Sequence, residues 1–327
     1  MQKRILTGDR TTGRLHLGHL VGSLNNRVRL QRDYDTFILL ADVQALTTHF
    51  TQPDRIREAI YQVAIDNLSV GLDPERITLV QQSQIGAIAE LTVLYAMLVP
   101  VNVLRHNPTI KTEAAQYGYD EMTYGFLGYP VSQAADITFC QADLVPVGED
   151  QLLHLEQTHR IVRRFNALYG DTLKQPEGLL GSVPRLAGLD GGAKMGKSLG
   201  NAIYLADPPD RVRAKVLSAV TDTTRIHARD PGHPEVCVVN QYHRAFNAAE
   251  YPDICAGCAG ATLGCVACKK RLADRLEATL APIRERRAHY EAHRDQVTEL
   301  IQAGNDRANA IGRQTLAQVK EAMRLAL

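Results

Sequence analysis

Short apolar runs alternate with amphipathic stretches over the first part of the chain. The runs at residues 3–7, 36–43 and 76–82 have the length of strands and are bounded by polar segments. Between the last two runs, a helical pattern begins near Pro53 and stops at Gly71. This alternation predicts a parallel sheet with crossover helices.

The pattern becomes helical in the second half of the chain. A long helix is predicted from about residue 150 to 168, and a Gly-rich loop follows at 187–200. From Pro208 onward, helical patterns are interrupted only by a cysteine-rich segment and continue to a last amphipathic helix at 305–327. The pattern therefore predicts an α/β body followed by a helical domain, with a hinge near residues 200–207.

Composition and charge narrow the class of protein. With 327 residues and 45% hydrophobic composition, the chain is long enough for one large domain and a smaller one. The formal net charge is +1, so any basic surface must be local. The N-terminus has no apolar signal segment, and the longest apolar stretch, residues 87–104, is interrupted by Glu90, Pro100 and Asn102. We therefore expect a soluble cytoplasmic protein that does not associate with membranes.

Two histidines stand at the start of a helix, shortly after the first predicted strand, where residues 8–19 read GDRTTGRLHLGH. A strand–loop–helix junction at the edge of a parallel sheet offers free backbone N–H groups to a phosphate. His16 and His19 share one helical face and could donate hydrogen bonds to phosphate oxygens, while Gly18 leaves space for a flat base. Ordinary helix-start histidines, or a zinc pair lacking its other ligands, are the alternative interpretations.

A second candidate site lies in the Gly-rich loop, where Lys194 and Lys197 could neutralise a departing pyrophosphate. From Gly191 onward the same loop matches the nucleotide-hydrolase pattern G-x-x-x-x-G-K-S. That pattern requires a preceding strand, and residues 184–190 are turn-rich, so the hydrolase interpretation is disfavoured. A solvated basic loop is the other alternative.

Four of the six cysteines are clustered within one short segment, with the spacing Cys255-x2-Cys258-x6-Cys265-x2-Cys268. Such a set could hold zinc, because thiolates paired at this spacing converge on a tetrahedral ion. Metal-free thiols are disfavoured because they would be open to oxidation. Cys140, alone in an apolar run, is predicted to be a core residue.

A basic helical stretch follows the last of these cysteines. Residues 269–294 contain eight Lys or Arg and four Asp or Glu, a net charge of 8 − 4 = +4. Leu272, Leu276, Leu280 and Ile283 supply the packing face. The basic face could hold RNA phosphates, or it could simply be solvated.

His16-Leu17-Gly18-His19 and Lys194-Met195-Gly196-Lys197-Ser198 resemble the two signatures of class I aminoacyl-tRNA synthetases. Residues 128–137 and 145–151 resemble the amino-acid pocket and ATP segment of tryptophanyl-tRNA synthetases, and the similarity covers nearly the whole chain. Three positions depart from the family pattern, with Arg10 in place of Gln, Gln44 in place of His and Gly196 in place of Ser.

The resemblance implies a fold and an activity. It implies an α/β, Rossmann-type doubly wound catalytic domain over residues 1–203 and a mostly helical anticodon-binding domain over 204–327, whose last helix packs back on the first domain. The implied activity is a tryptophan–tRNA ligase that uses tryptophan, ATP with Mg²⁺ and tRNA(Trp), in a homodimer. A tyrosine-specific synthetase, or a non-catalytic relative that senses tryptophan or binds proteins, is the alternative.

The resemblance also implies roles for individual residues. An indole N–H is only a donor, so a buried Asp136 is a suitable acceptor, although an ordinary helix-face position is the alternative. The implied catalytic residues are His16, His19, Lys194, Lys197 and Lys111. The implied ATP contacts are Arg10, Thr12, Gly18, Gly148, Asp150, Gln151, Met195 and Ser198. The implied tryptophan contacts are Gly8, Tyr129, Gln133, Asp136, Val145 and Val147.

A fifth cysteine changes the metal prediction. Cys237-x20-Cys258-x6-Cys265-x2-Cys268 resembles the four-iron cluster motif of one branch of tryptophanyl-tRNA synthetases. The resemblance implies a [4Fe–4S] cluster on these four residues, with Cys255 spare and zinc as the alternative.

Overall fold

Five parallel strands form the central sheet of the computed structural model, which describes residues 2–119, 121–147, 152–180, 186–192, 195–197, 199–227 and 229–326. The strands are β1 (Arg4–Arg10), β2 (Asp35–Ala41), β3 (Ile77–Gln81), β4 (Leu144–Val147) and β5 (Glu177–Leu180). Their order is β3-β2-β1-β4-β5. Strands β2 and β3 are therefore added on one side of β1, and β4 and β5 on the other, so the strand order reverses between β1 and β4. In open parallel sheets, ligands bind beyond the carboxyl ends of the strands at such a switch point. The predicted Rossmann-type fold is confirmed.

The three predicted strands are present, with different ends. β1 extends through Arg10 because Gly8 and Asp9 pair with Leu39 and Leu40 of β2, so these residues belong to the strand and not to the following loop. β2 ends at Ala41, where the next helix begins. Hydrophobic periodicity did not indicate β4 and β5, which are only four residues each.

The described ranges contain fourteen α-helices. The first histidine segment forms α1 (Leu17–His19), which continues through a π-helical turn (Leu20–Leu24) into α2 (Asn25–Leu30). The predicted helix from Pro53 is confirmed as α4, and the predicted last helix belongs to a longer one that begins at Arg294. The other helices are α3 (Asp42–His49), α4 (Pro53–Ser69), α5 (Gly86–Ala96), α6 (Val101–Arg105), α7 (Pro108–Tyr117), α8 (Tyr124–Thr138), α9 (Leu152–Tyr169), α10 (Pro209–Ser218), α11 (Val238–Phe246), α12 (Tyr251–Ala259), α13 (Cys265–Ala292) and α14 (Arg294–Ala322).

The apolar core connects the sheet with the C-terminal helices. One cluster joins Ile38 and Val63 near the sheet to Leu276 and Leu280 of α13. Helix α14 packs on the edge strand β3 and on α5, where Asn305 Oδ1 accepts a hydrogen bond from the Gln81 backbone N–H at 2.8 Å. The edge strand is therefore covered by a helix. Division of the chain at residues 203 and 204 stays a prediction.

Two further predictions concern burial and membranes. Cys140 is fully buried, as expected of a core residue. Within the described ranges, every helix is too short or too polar to cross a lipid bilayer.

Candidate active site

His16 and His19 lie together at the start of α1, beyond the carboxyl end of β1. Their ring centroids are 4.0 Å apart. His16 caps the helix, since its Nδ1 accepts a hydrogen bond from the Gly18 backbone N–H at 3.1 Å. His19 Nδ1 accepts in turn from the His16 backbone N–H at 3.2 Å. Both rings are therefore held by backbone N–H groups at the start of the helix.

These hydrogen bonds determine where each imidazole carries its proton. Burial, then the neighbouring His19, lowers the pKa of His16 to about 2. Burial also lowers the pKa of His19 to about 4, although Asp9 opposes the shift. The rings are neutral near pH 7, and because each Nδ1 accepts, each Nε2 carries the hydrogen. Two uncharged N–H donors are thus available to an oxyanion.

Gly18 is required by close packing inside this segment. A Cβ at Gly18 would lie 2.9 Å from Nδ1 and Cε1 of His16 and 3.7 Å from the Cβ of Met195. Such a carbon would have to displace the imidazole. Met195, which belongs to the second signature, is buried close to Gly18.

Backbone pairing and a lysine join the second signature to the first. The Leu17 N–H donates to the Ile203 carbonyl at 2.9 Å, and the Leu205 N–H donates to the Leu15 carbonyl at 3.0 Å. Lys197 Nζ donates to the Gly13 carbonyl at 2.6 Å. Burial lowers the pKa of Lys197 to about 8, against the opposing effect of Asp9. The lysine remains mostly charged near pH 7.

An ion pair lies beneath the histidines. Asp9, near the end of β1, accepts hydrogen bonds from Arg27 at 2.5 Å and from Asn67 Nδ2 at 3.1 Å. Burial would raise the pKa of Asp9, but the Arg27 guanidinium lowers it well below its usual range. A fixed negative charge therefore faces His19 and Lys197.

Asp136 lies on α8 in the predicted amino-acid pocket and is only 4% exposed. Gln82 Nε2 donates to both of its carboxylate oxygens, at 2.8 and 2.9 Å. Gln82 Oε1 accepts from the Gln44 backbone N–H at 3.0 Å, which orients the amide. Burial raises the pKa of Asp136 to about 7, Gln82 opposes this rise, and Asp42 adds to it.

The other predicted pocket residues lie on α8, β4 and β1. Tyr129 and Gln133 share its face of α8, and burial together with Glu113 raises the pKa of Tyr129. Val145 and Val147 are half-buried in β4. A side chain at Gly8 would clash with Leu39, so the glycine permits the close approach of β1 to β2.

Three further residues predicted to contact ATP lie in the described part of the chain, and five lie outside it. Arg10 donates to the hydroxyls of Thr47 at 3.2 Å and Thr48 at 2.7 Å. Thr12 is half-buried in the turn after β1, and Lys111 is exposed on α7. The predictions for Gly148, Asp150, Gln151, Lys194 and Ser198 lie outside the described residues.

Three cysteine thiols lie near Cys268. Burial, then the thiols of Cys237, Cys258 and Cys265, raises the pKa of Cys268 to about 12. Arg225 Nη1 donates to Cys265 Sγ at 3.9 Å.

Cys255 has different partners from these four. Its Sγ accepts from Asn240 at 3.3 Å, and it faces Tyr251. Across the described ranges, no three His, Cys, Asp or Glu side chains are grouped as metal ligands.

Most of the basic side chains of α13 form hydrogen bonds or ion pairs within the protein. Arg287 contacts Asp66, Arg275 donates to the Phe246 carbonyl, and Arg286 donates to the Ser69 carbonyl. Lys269 and Arg284 of α13 are also bonded within the protein, as is Arg294 at the start of α14. Lys270 and Arg271 are exposed next to Cys268.

Sequence reasoning missed three buried polar residues of this site. Gln82 and Asp42 follow the ends of β3 and β2, and Asp66 interrupts an apolar stretch of α4. Each carries a recognisable signal, because a polar side chain at the carboxyl end of a parallel strand, or a charge inside an apolar helix face, requires a partner.

Known proteins are similar to this chain over most of its length. The family described as tRNA synthetases class I (W and Y) matches residues 2–281. The tryptophan–tRNA ligase of Streptococcus mutans is 50% identical, covering 98% of this chain and 97% of its own, and that of Lactococcus lactis is 48% identical with the same coverage.

Solved structures agree with the sequence relatives. A tryptophanyl-tRNA synthetase from Campylobacter jejuni, solved with ADP and tryptophan, has a TM-score of 0.87 at 25% identity, covering 98% of this chain and 99% of its own. That of Mycoplasma pneumoniae has a TM-score of 0.84 at 27% identity, covering 100% and 99%. The chain therefore belongs to the class I aminoacyl-tRNA synthetases, in the family of the tryptophan–tRNA ligases.

Proposed function

We propose that the site at the carboxyl end of β1 joins tryptophan to AMP. The tryptophan carboxylate attacks the α-phosphorus of Mg²⁺-bound ATP, the P–O bond to the β-phosphate breaks, and pyrophosphate leaves. His16 and His19 donate their Nε2–H groups to phosphate oxygens, and Lys197, with Lys194, stabilises the leaving pyrophosphate. The observation that carries the proposal is the pairing of residues 15–17 with 203–205, because it brings both signatures to one place.

The remaining predicted ATP contacts complete this proposal. Gly18 and Met195 form the surface against which the nucleotide base lies. Lys111 reaches the phosphates from α7. The residues assigned to ATP also include Arg10, Thr12, Gly148, Asp150, Gln151 and Ser198.

Selectivity for tryptophan is assigned to Asp136. Its carboxylate accepts the indole N–H, Tyr129 and Gln133 hold the substrate amino group, and Gly8, Val145 and Val147 line the pocket. Phenylalanine would leave a buried carboxylate without its partner, so the site should reject it by several orders of magnitude. Support comes from the burial of Asp136 and from the clamp that Gln82 applies to it.

The second half of the reaction moves tryptophan from the adenylate to the terminal adenosine of tRNA(Trp), with AMP as leaving group. We assign tRNA contact to residues 204–327 as a domain distinct from residues 1–203. Because most of the basic side chains of α13 bind within the protein, Lys270 and Arg271 are the proposed phosphate contacts on that helix.

A [4Fe–4S] cluster on Cys237, Cys258, Cys265 and Cys268 is part of the proposal. The four thiols fit such a group in number and type, since Cys237, Cys258 and Cys265 lie close enough to Cys268 to raise its pKa, whereas Cys255 has different partners. The cluster would hold three segments of the helical region together. Zinc is the alternative for the same thiols.

We also propose a homodimer through an exposed apolar surface, here called the α3–α8 patch. Phe50, Val101 and Tyr124 are 59, 54 and 82% exposed, and all three line a cavity of about 550 Å³. Large exposed apolar patches mark interaction surfaces.

Amino-acid-dependent exchange of pyrophosphate into ATP tests the function, run with tryptophan and tyrosine side by side on anaerobically purified protein. Exchange with tryptophan alone is expected. Exchange with tyrosine alone would overturn the role of Asp136, and absence of exchange despite tryptophan binding would indicate a non-catalytic relative. His19→Ala should slow exchange without weakening tryptophan binding, and unchanged exchange in this variant would refute the assigned chemistry.

A further inference from the structure

The loop that leads into His16 is held from below by two buried side chains of α4. The Leu15 backbone N–H donates to Asp66 Oδ2 at 2.7 Å. Arg14 Nε donates to Gln62 Oε1 at 2.9 Å. Asp66 is fully buried and Gln62 is 6% exposed. The position of His16 in the site therefore depends on where these two side chains lie.

One residue of α13 holds both of them. Arg287 Nη1 donates to Asp66 Oδ1, and Arg287 Nη2 donates to Gln62 Oε1 and, at 3.0 Å, to Glu291. The guanidinium is 3% exposed. Because Asp66 uses one oxygen for Arg287 and the other for Leu15, the orientation of its carboxylate is determined by both.

A buried ion pair is an expensive way to stabilise a fold. Desolvation of two charges offsets much of their attraction, and apolar residues of similar volume often stabilise a protein equally well. The pair can still orient its neighbours, because a planar guanidinium binds two acceptors at a defined angle. Since those acceptors, Asp66 and Gln62, also bind residues 14 and 15, the ion pair affects the position of the loop at the proposed ATP site.

We propose that Asp66 and Arg287 are positioning residues for ATP, which set the loop at residues 13–15 and thereby His16. The inference rests on the proposed role of His16. It adds that the nucleotide site is built partly by α13, a helix far away in sequence. Lys197 holds the same loop from the other side through the Gly13 carbonyl.

Steady-state exchange kinetics and tryptophan binding test this inference together. The chain has no Trp residue, so fluorescence of bound tryptophan reports binding alone. In Arg287→Met and Asp66→Asn we expect the ATP KM to rise about ten- to a hundredfold, as small misplacements in a site can cause, with the tryptophan Kd within about twofold. The double variant should be no worse than either single one, since both remove the same contact.

A matched control is available on the same helix. Asp274 of α13 pairs with Arg213 of α10, their side chains are 64 and 49% exposed, and this pair lies outside the hydrogen bonds that hold residues 13–15. Asp274→Asn should leave both constants unchanged. If Arg287→Met does not fold, Arg287→Lys keeps the charge without the fork and should still raise the ATP KM.

Two results would overturn the inference. One is an unchanged ATP KM in folded Arg287→Met, and the other is an equal loss of ATP and tryptophan affinity, which indicates a merely structural role. If His19→Ala exchanges normally, the proposed function fails; if it is slow while Arg287→Met is normal, only this inference fails.

Discussion

The side-chain amide of Gln82 clamps the carboxylate of Asp136, with Nε2 at 2.8 Å from one oxygen and 2.9 Å from the other. The clamp favours the ionised carboxylate in a site where burial opposes it. It also leaves the remaining lone pairs of Asp136 for a substrate donor. Gln82 therefore prepares the group that we assign to the indole N–H.

Gln82→Met should weaken tryptophan binding. A hydrogen bond to a charged group contributes about 1.5–3 kcal/mol, which corresponds to a rise in Kd of about ten- to a hundredfold. Fluorescence titration with tryptophan measures it. Gln84→Met, the same change at an exposed position two residues on, is the control. Equal affinity of the two variants would contradict the role of Gln82.

The acid limb of the pH profile should report Asp136. Its pKa is raised to about 7, so the carboxylate takes up a proton as the pH falls through that value. If the ionised form is the acceptor, the tryptophan KM rises below about pH 7. Asp136→Asn should have a high KM that does not change with pH, and a wild-type KM that is flat from pH 6 to 8 would refute this assignment.

The alkaline limb should report Lys197 in the same experiment. Its pKa is lowered to about 8, so its charge is lost as the pH rises through that value and pyrophosphate exchange slows. In Lys197→Arg the limb should move out of range, because a guanidinium stays charged. His16 and His19 should add no limb near pH 6.5, since burial keeps both neutral.

Gly18→Ala should impair ATP use and spare tryptophan binding. The added methyl would lie 2.9 Å from the His16 ring, which must move. A loss of about tenfold or more in kcat/KM for ATP is expected from such a misplacement. Gly22→Ala is the control in the adjoining π-helical turn, where nothing lies within 4 Å of the new carbon. Similar kinetics in both variants would show that Gly18 is dispensable.

Iron and sulfide analysis of anaerobically purified variants should show which cysteines bind the proposed cluster. Cys237→Ser and Cys258→Ser should lose iron, whereas Cys255→Ser should retain it, because its thiol bonds to Asn240. Zinc without iron in the wild type would exclude the cluster. Loss of metal from Cys255→Ser with retention in Cys237→Ser would reverse the ligand assignment.

Val101→Glu should convert the proposed dimer to a monomer, because it places a charge in the α3–α8 patch. Sedimentation velocity measures the change. Ile226→Glu is the matched control, since Ile226 is 80% exposed and does not line that cavity. A wild type that sediments as a monomer would rule the dimer out.

Features that depend on a short stretch of the chain could be predicted from the amino-acid pattern. The three strands, the helix from Pro53 and the histidine segment follow from periodicity, capping and spacing within short windows. The two signatures predicted a class I synthetase, and residues 128–137 and 145–151 predicted the tryptophan family. The division into two domains, the metal and the individual site roles stay predictions.

Contacts between residues far apart in the chain could not be predicted and depend on the fold. Gln82 and Asp136 are 54 positions apart, and Asp66 and Arg287 are 221 apart, so no local pattern connects them. The charge of α13 likewise pointed to RNA until packing showed most of it bound within the protein. The physical reason is that a buried polar group must find a partner wherever the fold brings one, and sequence reveals the need for a partner but not its identity.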